Sequence, residues 1–318
     1  MRKWLLISLI LITSCTQVPE KKIKIAIITN AIAPFWNPMI VGMERAAKEL
    51  DVEANWKGPE KAQVAEQKRL IEEAVAQGVD GISISPIDSK AIGPVLDEIS
   101  KKGIIVITMD SDAPDSARKV YIGTKNYNAG IEAGKQAVAI MQGKKGKVIA
   151  FVGRMEAQNA QERLQGFKDA TKSQLEVVTV LEDQTDKTKA RRNVEDAIQA
   201  HPEVNLLLGL WSYNGPAIAA AVKEAKKHDK IKVVCFDAEP ITLQYLKTGD
   251  IDATIVQKPY EFGYQSVKVL HDMVKFGVES TLSQLPKDRI IDTGVEVVTP
   301  TTLESYQKEL EKMGIKSS

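Results

Sequence analysis

The sequence predicts an α/β protein of two lobes, each a doubly wound parallel sheet. Its strand-like segments are short and apolar throughout, so both faces of each strand must be covered by other elements. These segments alternate with helix-like segments, and strand-to-helix alternation makes neighbouring strands parallel. The chain has 318 residues, which is enough for two domains of ordinary size.

Eight apolar runs rich in β-branched residues are predicted as strands. They are Lys24–Ile28, Gly81–Ile84, Ile104–Met109, Lys147–Phe151, Val177–Leu181, Leu206–Leu210, Lys232–Phe236 and Ala253–Val256. Helical spacing of apolar residues predicts Pro38–Leu50, Ile92–Lys102, Ala129–Met141, Asn159–Thr171, Asn193–Ala200, Gly215–Lys227 and Gly263–Phe276. Ligands of such folds bind beyond the carboxyl ends of the strands, so residues just after each strand are the site candidates.

The first fifteen residues are predicted to be an export signal. Arg2 and Lys3 precede the apolar run Trp4–Ile12, which is far shorter than the roughly 20 residues of a membrane-spanning helix. The segment Ile12-Thr13-Ser14-Cys15 resembles the cleavage site of bacterial lipoproteins and implies that Cys15 is acylated as the first mature residue. An ordinary signal peptide with an incidental cysteine is the alternative. Residues 16–22 are polar and are predicted to be a tether.

Composition argues against several other classes of protein. The 43 Lys and Arg residues balance 42 Asp and Glu residues, so no positive surplus marks the chain for nucleic acid or for acidic membranes. Only Cys15 and Cys235 are present, which leaves no disulfide framework. Cys235 lies inside the apolar run Val233–Phe236 and is expected to be a buried structural thiol, with a reactive role as the alternative.

Two adjacent aromatic residues, Phe35 and Trp36, follow the first predicted strand in the loop before a helix. Helical periodicity does not assign either ring to the core. An aromatic ring can pack on the C–H face of a sugar while the hydroxyls of the sugar reach polar partners. A hydrophobic plug at the start of the helix is the competing interpretation.

Two carboxylates, Asp110 and Asp237, directly follow predicted strands in the two halves of the chain. An ionised carboxylate accepts from two vicinal hydroxyls at once, and charge-assisted hydrogen bonds contribute about 1.5–3 kcal/mol each. Capping of a helix N-terminus is the alternative use of such residues. Their equivalent positions in the two halves favour a binding site.

The remaining candidates offer donors and acceptors together, as recognition of hydroxyl groups requires. They are Asn126, Arg163, Trp211, Asn214 and Gln257. For Arg163, pairing with Glu162 or another carboxylate on a solvated face is the alternative.

No catalytic, cofactor or metal site is predicted. The sequence lacks a G-x-S-x-G elbow, a phosphate-binding G-x-x-x-x-G-K-[ST] loop and a G-x-G-x-x-G motif after the first strand. Its three histidines, His201, His228 and His271, lie far apart. Structural or solvated roles are expected for all three.

Several segments together carry a family resemblance that spans Ile23 to about Thr299. They are Pro34-Phe35-Trp36, Ser85-Pro86-Ile87-Asp88-Ser89, Val106-Ile107-Thr108-Met109-Asp110, Asn126 with Ala129-Gly130, Gln161-Glu162-Arg163, His201-Pro202, Phe236-Asp237 and Ala253-Thr254-Ile255-Val256-Gln257. In order and spacing they resemble the type I periplasmic sugar-binding proteins of ABC importers, of the ribose/galactose type. The resemblance implies two lobes joined by three hinge crossovers around a cleft that closes on its ligand.

The resemblance also implies boundaries, partners and residue roles. The first lobe would comprise residues 23–124 and 258–290, and the second residues 125–257 and 291–318. Phe35 and Trp36 would stack on the sugar, while Asp110, Arg163, Asp237 and Gln257 would bond its hydroxyls. Asn126 would lie near the first crossover. The partners would be a small sugar and the permease subunits of an ABC importer, with a monomeric protein that contacts the membrane through its lipid anchor alone.

Three departures from the ribose-binding pattern stand at the expected pocket. Ser111 replaces an arginine, Ala33 replaces an asparagine, and Thr185 lies near a position where the family has an aromatic residue. Trp211 stands where an asparagine is usual, with Asn214 close behind. These changes predict a sugar site that is not shaped for ribose.

Two other functions share this fold. Repressors of the lactose-repressor type carry a helix-turn-helix before the first strand, for which the tether between Cys15 and Ile23 leaves no room. A ligand sensor that presents its closed form to a chemoreceptor or a membrane kinase remains open, with a non-ribose polyol or sugar derivative as ligand. Either a transport or a sensing role places the protein in the cell envelope, lipid-anchored on the periplasmic or extracellular face.

Overall fold

The computed structural model describes residues 21–315, which form two six-stranded sheets. The first five strands in chain order are β1 Lys24–Ile28, β2 Glu53–Lys57, β3 Gly81–Ile84, β4 Ile105–Met109 and β5 Tyr121–Gly123. The next five are β6 Gly146–Val152, β7 Leu175–Glu182, β8 Leu206–Gly209, β9 Lys232–Phe236 and β10 Ala253–Val256. Two short strands follow, β11 Ile290–Asp292 and β12 Glu296–Val298.

The two sheets have matching strand orders, β11-β5-β4-β3-β1-β2 and β12-β10-β9-β8-β6-β7. Neighbouring strands are parallel except for β12, which pairs with β10 in the antiparallel sense. The predicted fold class is therefore confirmed.

Eleven α-helices lie within the described residues. They are α1 Asn37–Leu50, α2 Val64–Ala76, α3 Ser89–Lys101, α4 Asn126–Ile140, α5 Gln158–Thr171, α6 Lys187–Ala200, α7 Asn214–Glu224, α8 Pro240–Thr248, α9 Pro259–Phe276, α10 Val278–Leu282 and α11 Leu303–Lys312. None of these helices is both long and apolar enough to cross a membrane.

Apolar side chains cover both faces of each sheet. On the first sheet, one cluster joins α1 and α9, and another joins α2 and α3. On the second sheet, α4 and α5 cover one face, while α6, α7, α8 and α11 cover the other. We call each sheet with its helices a lobe, the first lobe holding β1 and the second holding β6.

The chain crosses between the lobes three times. The crossovers follow β5, β10 and β11, because the next element in each case packs in the other lobe. The carboxyl ends of β1, β3, β4, β6, β8, β9 and β10 carry the site residues described below. The residue boundaries predicted for the lobes stay a proposal.

The sequence reasoning left out the elements with the weakest apolar pattern. It named neither the partly exposed edge strand β2 nor the three-residue strands β5, β11 and β12, and it omitted α2, α8, α10 and α11. Helix α6 begins at Lys187 and not at Asn193, because the carboxylate of Asp186 caps it by accepting from the N–H groups of Thr188 and Lys189.

The sequence analysis made a prediction for each of the two cysteines, and the structure describes only one of them, Cys235. Cys235 is free and fully buried, and burial raises the pKa of its thiol to about 12. The thiol therefore stays protonated at neutral pH, as a structural role requires. The predicted lipidation site, Cys15, lies outside the described residues.

Candidate functional site

The candidate site is a cleft between the lobes with a volume of about 850 Å³, counting the space that opens to solvent. Seven of the nine predicted ligand-binding residues line it. They are Phe35, Trp36, Asp110, Arg163, Trp211, Asp237 and Gln257.

Asp110 and Asp237 occupy equivalent places, directly after β4 and β9. Asp110 Oδ2 accepts from Ser85 Oγ at 2.7 Å. Both carboxylate oxygens of Asp237 lie near Gln257 Nε2, at 3.2 and 3.3 Å. Neither carboxylate caps a helix, so the alternative helix-capping role does not apply.

Arg163 projects from α5 into the floor of the cleft and is only 1% exposed. Its Nε donates to Asn126 Oδ1 at 2.9 Å, and its Nη1 donates to the carbonyl of Leu210 at 2.8 Å. The guanidinium carbon also lies 4.5 Å from the ring centre of Phe236. The alternative of a surface ion pair with Glu162 does not hold, because Arg163 is buried and the Glu162 carboxylate accepts instead from Gln158.

Burial dominates the electrostatics of the two carboxylates. It raises the pKa of Asp110 above its ordinary value, while the charge of Arg163 and hydrogen bonds from Ser85 and Asn159 oppose the rise. Burial likewise raises the pKa of Asp237 to about 6, against the opposing effects of Arg163 and Gln257. Desolvation disfavours the ionised form, so hydroxyl donors from a ligand would stabilise these carboxylates.

Phe35 and Trp36 lie in a short 3-10 helix, Pro34–Trp36, and their rings meet edge to face with centroids 4.8 Å apart. Phe35 is half-buried. Trp36 is only 1% exposed and belongs to the core of the first lobe. For Trp36 the competing interpretation, a hydrophobic plug at the start of the helix, therefore applies, although the residue also lines the cleft.

Trp211 and Gln257 approach from the second lobe. Trp211 comes two residues after β8, and its Nε1 donates to Asn159 Oδ1 at 3.2 Å. Gln257 directly follows β10, and its buried Oε1 has no hydrogen-bond partner among the described residues. Arg163 Nη2 is buried and unpartnered in the same way.

Asn126 and Asn214, the other two predicted ligand-binding residues, do not line the cleft. Each is the first residue of a helix, and its side chain forms a hydrogen bond with a residue that lines the cleft. Asn126 accepts from Arg163, and Asn214 Oδ1 accepts from the backbone N–H of Trp211 at 3.0 Å. In this geometry they hold site residues in place.

The structure adds residues that the sequence reasoning missed. Ser85 bonds Asp110, Asn159 bonds Trp211, and Arg154 lines the cleft two residues after β6. Ser85 and Arg154 follow strands closely, so inspection of every strand end would have found them. Asn159 lies inside α5 and carries no such signal.

The structure also shows which of the three departures from the ribose pattern lie in the cleft. Ala33 and Thr185 line the cleft. Ser111 does not, and its hydroxyl is buried without a partner in residues 21–315. Charged residues also line the cleft, Glu60 from the first lobe and Arg154 and Lys187 from the second.

A second, larger groove of about 1,580 Å³ opens on the hinge side and shares Phe35, Asp237 and Gln257 with the cleft. Among the described residues, no group of three or more His, Cys, Asp or Glu side chains is placed to hold a metal ion. The residues that line the cleft offer buried hydrogen-bond donors and acceptors together with aromatic rings.

Known proteins are similar to this chain in sequence and in fold. Residues 23–278 match a family model described as a periplasmic binding protein domain. The chain is 25% identical to the ribose import binding protein RbsB of Bacillus subtilis (strain 168) over 283 residues, which cover 85% of this chain and 91% of that protein.

Two solved structures are also similar. The first is an ABC transporter solute-binding protein from Burkholderia graminis C4D1M in complex with D-arabinose, with 32% identity, a TM-score of 0.82, and coverage of 90% of this chain and 98% of that one. The second is a XylFII–LytSN complex, with 29% identity, a TM-score of 0.81, and coverage of 89% and 99%. Neither structure, nor the ribose import binding protein, is named as an enzyme.

Proposed function

The chain belongs to the family of periplasmic binding protein domains, and from this premise we propose that it captures a small sugar in the cleft between its lobes and delivers it to an ABC importer. Its relatives are sugar-binding proteins, and it is a binding protein and not an enzyme. Membership of the family implies a location outside the cytoplasm.

The observation that carries the proposal is a pair of unsatisfied polar atoms in a cleft lined by both lobes. Arg163 Nη2 is a donor and Gln257 Oε1 is an acceptor, and each is buried without a partner in the described chain. An unpartnered buried polar group costs about 1–3 kcal/mol. A ligand hydroxyl both donates and accepts, so a polyhydroxylated ligand would satisfy both atoms.

Closure follows from the same arrangement. Asp110 comes from the first lobe, whereas Arg163, Asp237 and Gln257 come from the second. A ligand that bonds all four residues gains these contacts only when the lobes are together, which is the differential affinity that shifts a population towards a closed form. We propose that Phe35 and Trp211 add aromatic walls, and that Asn126 and Asn214 hold the binding residues.

A sugar panel tests the proposal. We expect at least one monosaccharide or related polyol to raise the melting temperature of the mature protein, and to change its tryptophan fluorescence because Trp36 and Trp211 line the cleft. Aldopentoses and aldohexoses would be screened by thermal shift and then by calorimetry. The absence of stabilisation by every carbohydrate in the panel would reject sugar binding.

Sensing is a second candidate function. A specific observation favours it, since one of the similar structures is a complex of XylFII with a second protein, LytSN. A ligand-dependent complex with a receptor or kinase ectodomain would support sensing. Sugar-stimulated ATP hydrolysis by a reconstituted permease and ATPase would support transport.

We also propose that the protein is a monomer anchored to the cell envelope through lipid on Cys15. The lipoprotein-like segment Ile12-Thr13-Ser14-Cys15 supports the anchor. Labelled palmitate should enter the wild-type protein and not Cys15→Ala. Retention of the label by that variant would reject the anchor, and sedimentation with and without sugar tests the monomer.

A further inference from the structure

We infer that Asp183, which does not line the cleft, is a positioning residue that sets ligand selectivity through Trp211. The inference rests on the proposed function, because Trp211 forms a wall of the sugar site.

The Trp211 ring packs against the backbone of Gly153, which has no side chain. A Cβ atom added at Gly153 would lie 2.1 Å from Cζ3 and 2.4 Å from Cε3 of the indole. No other residue type therefore fits at Gly153 without moving the ring. Tyr213 meets the indole edge to face, with centroids 6.4 Å apart.

Trp211 is held at two polar points. Its backbone N–H donates to Asn214 Oδ1 at 3.0 Å, and its indole N–H donates to Asn159 Oδ1 at 3.2 Å. Together with the contacts of Gly153 and Tyr213, four contacts hold Trp211 in place.

Two of these four restraints depend on one buried carboxylate. Asp183 Oδ1 accepts from Tyr213 Oη at 2.6 Å, and Asp183 Oδ2 accepts from Asn214 Nδ2 at 3.0 Å. Asp183 Oδ1 also accepts from the backbone N–H of Thr185 at 2.9 Å. The carboxylate is 1% exposed, and a buried charge is retained only where such hydrogen bonds offset its desolvation.

The position of this cluster relates it to the altered pocket. Thr185, which stands near a position where the sequence resemblance leads us to expect an aromatic ring, lines the cleft and is tied to Asp183 in the left-handed conformation with φ of 67°. The aromatic residues of the second lobe that line the cleft are Trp211 and Tyr213. Asp183 thus bonds both the residues that hold Trp211 and the backbone of Thr185.

The test compares Asp183→Asn with a matched buried carboxylate in the same lobe. Asparagine at 183 has one acceptor oxygen where aspartate has two, so it cannot accept from Asn214 Nδ2 and from the N–H of Thr185 at the same time. The control is Asp250→Asn, because Asp250 is also buried but bonds Lys223 and Thr248, and none of these three residues lines the cleft. Tyr213→Phe removes a single donor to Asp183 and serves as a milder second variant.

For Asp183→Asn we expect at least a fivefold loss of affinity for the best sugar of the panel. Selectivity is the dissociation constant of the second-best sugar divided by that of the best sugar. This ratio should fall by a similar factor. The near-ultraviolet circular dichroism band of Trp211, assigned with Trp211→Phe, should weaken in both Asp183→Asn and Tyr213→Phe. Asp250→Asn should change neither the ratio nor the band.

An unchanged selectivity ratio with an unchanged Trp211 band would overturn the inference. Failure of the proposed function is distinguishable, because the wild-type protein would then bind no sugar at all. The Trp211 band of the ligand-free variants would still report whether Asp183 positions the indole.

Discussion

Asp110 and Asp237 share a backbone conformation that residues other than glycine seldom adopt. Their φ angles are 60° and 68°, in the left-handed region that costs roughly 1–2 kcal/mol for an L-residue. Each is pinned by its own N–H, which donates to the neighbouring strand at Ile122 and Ile255, respectively. Strain of this kind persists where the surrounding structure enforces it, commonly at binding sites. The two lobes thus present their carboxylates in the same way.

Asp237→Asn should stabilise the ligand-free protein while abolishing sugar binding. The rise of the Asp237 pKa from 3.8 to about 6 corresponds to about 3 kcal/mol of destabilisation at pH 7. Because the folded state holds the proton more tightly, this cost shrinks as the pH falls through 6 towards 3.8. Urea denaturation should therefore show a higher free energy of unfolding for the variant than for the wild type at pH 7. This difference should drop to about half at pH 5.

Equal stability of Asp237→Asn and wild-type protein at pH 7 would contradict this account of the buried charge. Sugar binding by the variant with wild-type affinity would move the site elsewhere.

Sugar affinity should fall as the pH drops below about 6. Ligand hydroxyls donate to the ionised carboxylate of Asp237, whose pKa is about 6, so binding at lower pH must release its proton. The loss should approach tenfold per pH unit below 6. Calorimetry at pH 5 in buffers of different ionisation enthalpy should register proton release. A sugar affinity that stays the same between pH 5 and pH 7 would contradict the prediction.

At the level of elements, a backbone-to-backbone helix crossing sets the depth of Arg163. A Cβ atom on Gly130 of α4 would lie 2.1 Å from the carbonyl oxygen of Arg163, and one on Gly166 of α5 would lie 2.1 Å from that of Tyr127. The first lobe repeats the arrangement between Gly42 of α1 and the backbone of Tyr260 in α9. Close approach of α4 and α5 is what brings the guanidinium within reach of Asn126 and the strand ends.

Gly130→Ala should therefore impair binding as well as stability. Separation of α4 from α5 should cost about 1–3 kcal/mol, as is usual for overpacking, and should weaken the hydrogen bonds of Arg163. The control is Gly93→Ala in α3, where the added Cβ has only an ordinary contact at 3.7 Å with Ser116. Calorimetry and urea denaturation should show losses for Gly130→Ala alone, and sugar affinity equal to wild type in that variant would refute the role of the crossing.

At the scale of the whole molecule, three crossovers join two lobes whose strand orders match. The lining of the cleft between them includes charges of opposite sign, Glu60 from the first lobe and Arg154 and Lys187 from the second. Closure by hinge motion brings such lobes together without repacking either core.

Sugar should reduce the radius of gyration of wild-type protein in small-angle X-ray scattering, because ligand contacts from both lobes favour the closed form. At a ligand concentration 100 times the dissociation constant, stabilisation should reach about 2.7 kcal/mol. Asp237→Ala at the same sugar concentration should show neither effect. Stabilisation of the wild type without compaction would indicate binding to a form that is already closed.

The sequence alone determined the fold class, the main strands and helices and the set of polar candidates. Apolar runs that alternate with helical patterns allow few arrangements other than covered parallel sheets. It also placed Asp110, Asp237 and Gln257 at strand ends, because that position depends on chain order. The sequence pattern did not predict short or polar strands such as β2 and β5, because their residues adopt strand geometry only by pairing with a neighbouring strand.

Only the tertiary structure decided what each candidate side chain does. Asn126 and Asn214 carry the same chemistry as residues that line the cleft, yet their partners are Arg163 and Trp211. Trp36 belongs to the core and also lines the cleft. Asp183 does not line the cleft but accepts a hydrogen bond from Asn214. A hydrogen bond depends on distance and direction between residues far apart in the chain, and neither quantity is encoded by residue type or local periodicity.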